Sequence, residues 1–194
     1  MSVAGLVLTG GASRRLGVDK ATLVLDGETL AGRAARVLSA RCARVLEVGP
    51  GVTELHAVRE TPAGAGPLAA LAAGSATLAA SGAITSVVLL ACDLPWVEPV
   101  LDALVAAALD ELPTIVAIVP VDGEGRRQYV CARYGPSALL RASTLVAAGE
   151  RSLRGLVESF PSDAIMELEG FAAGAFADID GPDDARAAGI DLRR

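Results

Sequence analysis

The chain has 194 residues, which suits one sizeable core and is short for two, so a single domain over 1–194 is expected. Apolar residues make up 52% and aromatics 3%, which excludes a disordered or fibrous chain and predicts a core of Val, Leu, Ile and Ala. A net charge of -6 opposes nonspecific attraction to nucleic acid or anionic lipid, so any anion binding must be local.

Val3 to Leu8 (VAGLVL) reads as a strand buried on both faces. It has no export-signal pattern, and no apolar run in the chain reaches the ~18 to 20 residues of a membrane span, so a cytoplasmic protein is expected. Leu30, Ala34, Val37 and Leu38 share one face at a spacing near 3.6 and predict a helix. Arg44 to Gly49 (RVLEVG) reads as a second strand, and the Ala-rich stretch Ala69 to Ala83 as a packed helix. Thr85 to Ala91 (TSVVLLA) predicts a third strand, followed beyond Pro99 by a helix presenting Leu101, Leu104, Val105 and Leu109. Thr114 to Pro120 (TIVAIVP) and Gln128 to Tyr134 (QYVCARY) read as strands flanking the turn DGEGRR, and Leu153, Leu156, Val157 and Phe160 mark a late amphipathic helix. The alternation predicts a three-layer α/β/α fold around a mostly parallel sheet.

The loop leaving the first strand, LTGGASRRLGVDKATL (Leu8 to Leu23), lies where parallel sheets collect ligands. Gly10 and Gly11 let a ligand approach bare backbone whose N–H groups face phosphate oxygens. Arg14, Arg15 and Lys20 supply charge suited to a polyphosphate. Walker spacing fails, since Lys20 follows Gly17 by three residues and precedes Ala21, and the GxGxxG fingerprint fails too.

In LLACDLPWV (Leu89 to Val97) a strand ends at Asp93 on the same sheet edge. A carboxylate facing phosphates needs a cation between them, so Asp93 is a Mg²⁺ ligand candidate, with a turn aspartate before Pro95 as the other reading. In FADIDGPDDARAAG, Pro182 opens a short helix with Asp183 and Asp184 in its first turn, both structural. Asp178 and Asp180, on an expected strand end, supply a second metal contact, orient a substrate, or act as caps. His56 and Cys92 read as structural, and the three separated cysteines, Cys42, Cys92 and Cys131, form no CxxC pair, so reduced thiols and no zinc site are expected.

Taken in order, LTGGASRRLGVDKATL, GAGPLAAL (Gly64 to Leu71), ACDLPWV, QYVCARY, GERSLRGLVES (Gly149 to Ser159) and DIDGPDD resemble the molybdenum cofactor guanylyltransferases over nearly the whole chain. The resemblance implies a GT-A-like, Rossmann-related sheet of the nucleotide-diphospho-sugar transferase type. It also implies an enzyme that moves GMP from GTP to the terminal phosphate of molybdenum-loaded molybdopterin, with Mg²⁺ required and other molybdenum cofactor proteins as further partners. By motif it implies that Leu8, Thr9 and Gly10 touch the nucleotide, that Gly11 and Arg15 meet phosphates, that Lys20 stabilises the triphosphate and leaving group, and that Asp93 binds Mg²⁺. Glu60 stands where the family has an aspartate ahead of its GPL motif, Asp178 and Asp180 replace paired asparagines, Tyr129 replaces a proline, and EVGPG (Glu47 to Gly51) has no counterpart of the asparagine after the second strand. Arg151 and Arg154 either meet the pterin phosphate or are solvated helix charges. The alternatives are a molybdopterin cytidylyltransferase, a sugar-phosphate nucleotidyltransferase, and a nucleotide-binding accessory protein without transferase activity.

Overall fold

In the computed structural model the described residues are 3–10, 19–82, 85–109 and 112–190. β1 (Val3–Leu8) is followed by a 3-10 turn at Lys20–Thr22, the short hairpin β2 (Val24–Leu25) and β3 (Glu28–Thr29), and α1 (Leu30–Ser39). Thr29 starts α1, its hydroxyl accepting from the Gly32 N–H at 3.0 Å. β4 (Arg44–Val48), β5 (Ala57–Val58), α2 (Pro67–Ala80), β6 (Ser86–Ala91) and α3 (Glu98–Ala106) come next. The chain continues through β7 (Ala117–Pro120), β8 (Cys131–Tyr134), α4 (Pro136–Ala147), α5 (Leu153–Glu158), β9 (Ile165–Leu168) and α6 (Pro182–Ala187).

The main sheet has the order β5-β4-β1-β6-β8-β7-β9. Only β8 runs antiparallel to its neighbours in it, between β6 and β7. The strands are apolar because both faces are covered. Leu6 and Leu8 of β1, with Val87 and Leu89 of β6, pack toward α2, α4 and α5. The alternate residues Val7, Val88 and Leu90 pack toward α1 and α3. This two-residue alternation makes one strand serve two cores and produces the expected three layers.

Two predicted strands are shorter than their apolar runs. β7 begins at Ala117 rather than Thr114, and β8 at Cys131 rather than Gln128. Gln128 to Val130 instead form a turn, closed by the Cys131 N–H donating to the Gln128 carbonyl at 3.1 Å. The cause lies in Asp122, whose Oδ2 accepts from Gln128 Nε2 at 2.9 Å and from Arg126 Nε at 2.8 Å while Oδ1 accepts the Glu124 and Arg126 N–H groups. Polar pairing thus outbids sheet propensity across the turn.

Asp178 and Asp180 also differ from expectation: they lie in an irregular segment, not at a strand end. The link to the sheet there is the Ile179 N–H, which donates to the Asp93 carbonyl at 3.1 Å, while Ile179 is fully buried. One buried isoleucine therefore anchors a segment flanked by two acids.

Hydrogen bonds from the Arg126 backbone and guanidinium, then from the Glu124 backbone, hold the Asp122 carboxyl at about 2, below its ordinary 3.8. Because the folded value is the lower one, this group stabilises the fold above pH 3.8 and the contribution is lost as pH falls toward 2. Asp122→Asn is expected to flatten the acid limb of thermal stability over that window, checked by melting temperatures against pH. An unchanged acid limb would contradict it.

Candidate active site

The site is built at the carboxyl ends of the strands. β1 delivers Leu8, Thr9 and Gly10, β4 delivers Val48, and β6 delivers Ala91, Cys92 and Asp93 to the wall of one cavity of about 510 Å³. The 3-10 turn brings Lys20 to the same wall, and the segment around Glu60, Gly64 and Gly66 closes it. The turn is held by Asp19, whose Oδ1 accepts the Ala21 N–H at 3.0 Å, so the Lys20 backbone is fixed by its neighbour. Of the residues singled out from sequence, Leu8, Thr9, Gly10, Lys20, Glu60 and Asp93 therefore meet in one place. Gly11, Arg14 and Arg15 lie outside the described residues.

The charge arrangement centres on Lys20. Its Nζ donates to Asp93 Oδ2 at 3.3 Å and also to Asp180 Oδ1, joining groups 73 and 160 residues distant in sequence. Burial works against this ammonium, but the Asp180 hydrogen bond and the charges of Asp93 and Asp180 outweigh it and raise its pKa, so it is charged throughout the neutral range. Partial desolvation, then the charges of Asp180 and Asp93, push the Asp178 carboxyl up. Three acids thus crowd one cation.

That donor set suits a divalent ion. Among the described residues no group of three His, Cys, Asp or Glu is close enough to hold a metal alone. Mg²⁺ needs no such cage, since it binds through one or two carboxylates together with phosphate oxygens and water. Asp93 and Asp180 offer hard oxygens where a cation is already favoured.

α2 adds a field. Its first residues Pro67 and Ala70 line the cavity, with Gly66 at the cap position and no side chain capping the helix. A 14-residue helix aimed this way favours negative charge at its start. A second cavity of about 430 Å³ shares Gly64, Gly66, Pro67 and Val130 with the first and adds Tyr129, Arg151 and Arg154. Arg154 is paired with Glu158 at 2.7 Å.

Other expectations resolve simply. Cys92 lines the cavity, but burial, then the charge of Asp93, push its thiol up to about 12, which leaves it a neutral hydrophobe. His56 is exposed and is not among the residues lining either cavity. Asp184 Oδ2 accepts the Asp180 and Gly181 N–H groups at 3.1 and 2.7 Å, and Asp183 pairs with Arg186, so both are structural as expected. Glu60 Oε1 accepts the Gly64 N–H at 2.7 Å, which folds the segment it belongs to.

Glu47 was missed. It is fully buried in β4, and its carboxylate accepts from the Thr9 hydroxyl at 2.6 Å and from the segment 51–53. The available signal was a glutamate inside the apolar run RVLEV, since a buried charge requires dedicated partners.

The MobA-like NTP transferase domain family matches residues 5–164. A probable molybdenum cofactor guanylyltransferase of Mycobacterium marinum is 36% identical over 174 residues, covering 86% of this chain and 84% of that protein. Among solved structures, molybdopterin-guanine dinucleotide biosynthesis protein A from Archaeoglobus fulgidus superposes with a TM-score of 0.74 at 21% identity, over 95% of this chain and 96% of that one. A protein from Mycobacterium tuberculosis H37Rv, solved as a complex with manganese, gives a TM-score of 0.67 at 16% identity, over 97% and 98%. The α/β fold, a mostly parallel seven-stranded sheet between helices, is the one these solved structures share, of GT-A-like type. The chain belongs to the MobA-like NTP transferase domain family and is an enzyme of that type.

Proposed function

We propose that this enzyme transfers GMP from GTP to the terminal phosphate of molybdenum-loaded molybdopterin, with release of pyrophosphate, as a step of molybdenum cofactor biosynthesis in the cytoplasm. The observation that carries the reading is the Lys20 ammonium held between Asp93 and Asp180 on the wall of the cavity. A cation and two carboxylates at one point are what a nucleoside triphosphate and its divalent ion require on the protein side.

In this reading Leu8, Thr9 and Gly10 bear on the nucleotide, with Gly11 and Arg15 at its phosphates. Glu60 lines the same cavity and orders its wall as far as Gly64. Lys20 leaves its carboxylates for the triphosphate and neutralises charge that grows on the departing pyrophosphate. Asp93, with Asp180, would hold Mg²⁺, which when bound would offset the charge of the phosphates. The start of α2 adds its dipole to the same end.

The acceptor approaches from the second cavity, where Arg151 and Arg154 face its phosphate. An oxygen of that phosphate forms a bond to the α-phosphorus of GTP while the bond from this phosphorus to the pyrophosphate oxygen breaks. No covalent protein intermediate is involved, and orientation with charge neutralisation supplies the acceleration.

Supporting the guanine and pterin assignments are the 36% identity to the Mycobacterium marinum guanylyltransferase and the fold shared with the Archaeoglobus fulgidus protein. Calorimetric titration with GTP, CTP, ATP and UTP in Mg²⁺ tests the reading. GTP is expected to bind at least about tenfold tighter than CTP, a difference of about 1.4 kcal/mol. Preference for CTP would move the enzyme to cytidylyl transfer, and binding of no nucleotide would overturn the reading.

A further inference from the structure

Two neighbouring strands bring residues to the cavity wall: β1 leads into Thr9 and Gly10, and β4 ends at Val48. Between them lies a carboxylate with no contact to the cavity. Glu47 is 0% exposed, and five donors converge on it. Oε1 accepts from Thr9 Oγ1 at 2.6 Å and from the Gly51 and Val52 N–H groups at 2.8 and 2.9 Å. Oε2 accepts from the Thr53 N–H at 2.8 Å and Thr53 Oγ1 at 2.6 Å. Backbone bonds run beside these: the Thr9 N–H donates to the Val48 carbonyl at 3.2 Å, and the Gly49 N–H to the Val58 carbonyl at 2.9 Å.

The approach is so close that residue 49 must be glycine, because a β-carbon there would fall 2.0 Å from Thr9 Oγ1. Burial opposes the Glu47 charge, but the Thr53 and Thr9 hydroxyls and the backbone N–H groups outweigh it, so the carboxyl stays ionised below the usual range. An ionised acceptor makes each of these bonds stronger than its neutral counterpart.

We propose that Glu47 is a positioning residue for nucleotide binding: its carboxylate braces Thr9, which lines the cavity, against the segment 51–53 behind it, so this part of the wall is in place before the nucleotide arrives. This rests on the reading of the cavity as the GTP site. The energetic role is preorganisation, since a loop ordered beforehand takes nothing from the binding free energy to order it. Loss of the brace therefore raises the GTP requirement and leaves the chemical step near its original rate.

Thr53 separates this role from direct contact, because it touches Glu47 and does not line the cavity. Thr53→Ala removes one donor. It is expected to raise both the calorimetric Kd and the KM for GTP in Mg²⁺ about five- to tenfold, the size of one typical hydrogen bond, with kcat changed less than about twofold. Thr53→Ser keeps the hydroxyl and is expected to restore wild-type values. Glu47→Gln, which disturbs every bond at Oε1 or Oε2, is expected to exceed the Thr53→Ala effect.

Ser86→Ala is the control for general destabilisation, because Ser86 accepts from buried Arg133 at 2.8 Å at the amino end of β6, away from Asp93. It is expected to lower the melting temperature without moving the GTP Kd. Wild-type GTP affinity in Thr53→Ala, or equal weakening in Ser86→Ala, would overturn the inference while leaving the function intact. Failure of the unmodified protein to bind GTP would overturn both.

Discussion

Asp93→Asn is expected to lower pyrophosphate release from GTP, in the presence of Mg²⁺ and molybdenum-loaded molybdopterin, by about a thousandfold, the range seen when a group that stabilises transition-state charge is removed. The substitution keeps shape and removes charge. What it spares is structural: the Ile179 N–H bonds to the backbone carbonyl of residue 93, not to its side chain, and Cys92 bonds to Leu8 through its backbone. Melting temperature should therefore change little. The side chain itself is a quarter exposed and faces Lys20, so it supports no core packing. Divalent affinity should fall in parallel with turnover, which separates loss of the metal from loss of the acceptor. Turnover within threefold of wild type would refute the metal role of Asp93, since a loss that small is about 0.65 kcal/mol.

Lys20→Met is the second large effect. Methionine keeps an apolar stem of similar length but leaves Asp93, Asp178 and Asp180 without the ammonium between them. Transfer is expected to fall about a hundredfold or more, because the departing pyrophosphate loses its point charge. The same variant is expected to bind Mn²⁺ more tightly than wild type in the absence of nucleotide. Today the ammonium occupies the oxygens the metal would use, and removing it ends that competition. Calorimetry with the metal alone reads this directly. Opposite changes in transfer and metal affinity are the signature of a lysine that first holds the carboxylates and then moves to phosphate. Weaker metal binding in the variant would contradict that exchange.

The two expectations are coupled through distance. Asp93 and Lys20 are in direct contact, so their effects are not additive, and the double variant is expected to be little worse in transfer than Asp93→Asn alone.

Much of the fold was legible along the chain. The β1, β4 and β6 runs are read from local hydrophobicity, and α1 and α3 from a 3.6-residue period, because strand and helix burial leave those periods in the sequence itself. The places of Thr9, Gly10 and Asp93 on the cavity wall were legible because they closely follow the apolar runs of β1 and β6. Strand limits near Gln128 were not, since Asp122 draws that amide into a turn by a contact that hydropathy does not encode.

The sequence by itself determined which apolar runs form the core and which strand ends meet at the cavity. Tertiary structure decided which charges meet. Asp180 reaches Lys20 across 160 residues, Thr9 reaches Glu47 across 38, and β8 inserts antiparallel between β6 and β7. These pairings depend on how strands order themselves in the sheet. Their free energy lies in burying distant segments together, which no local period records.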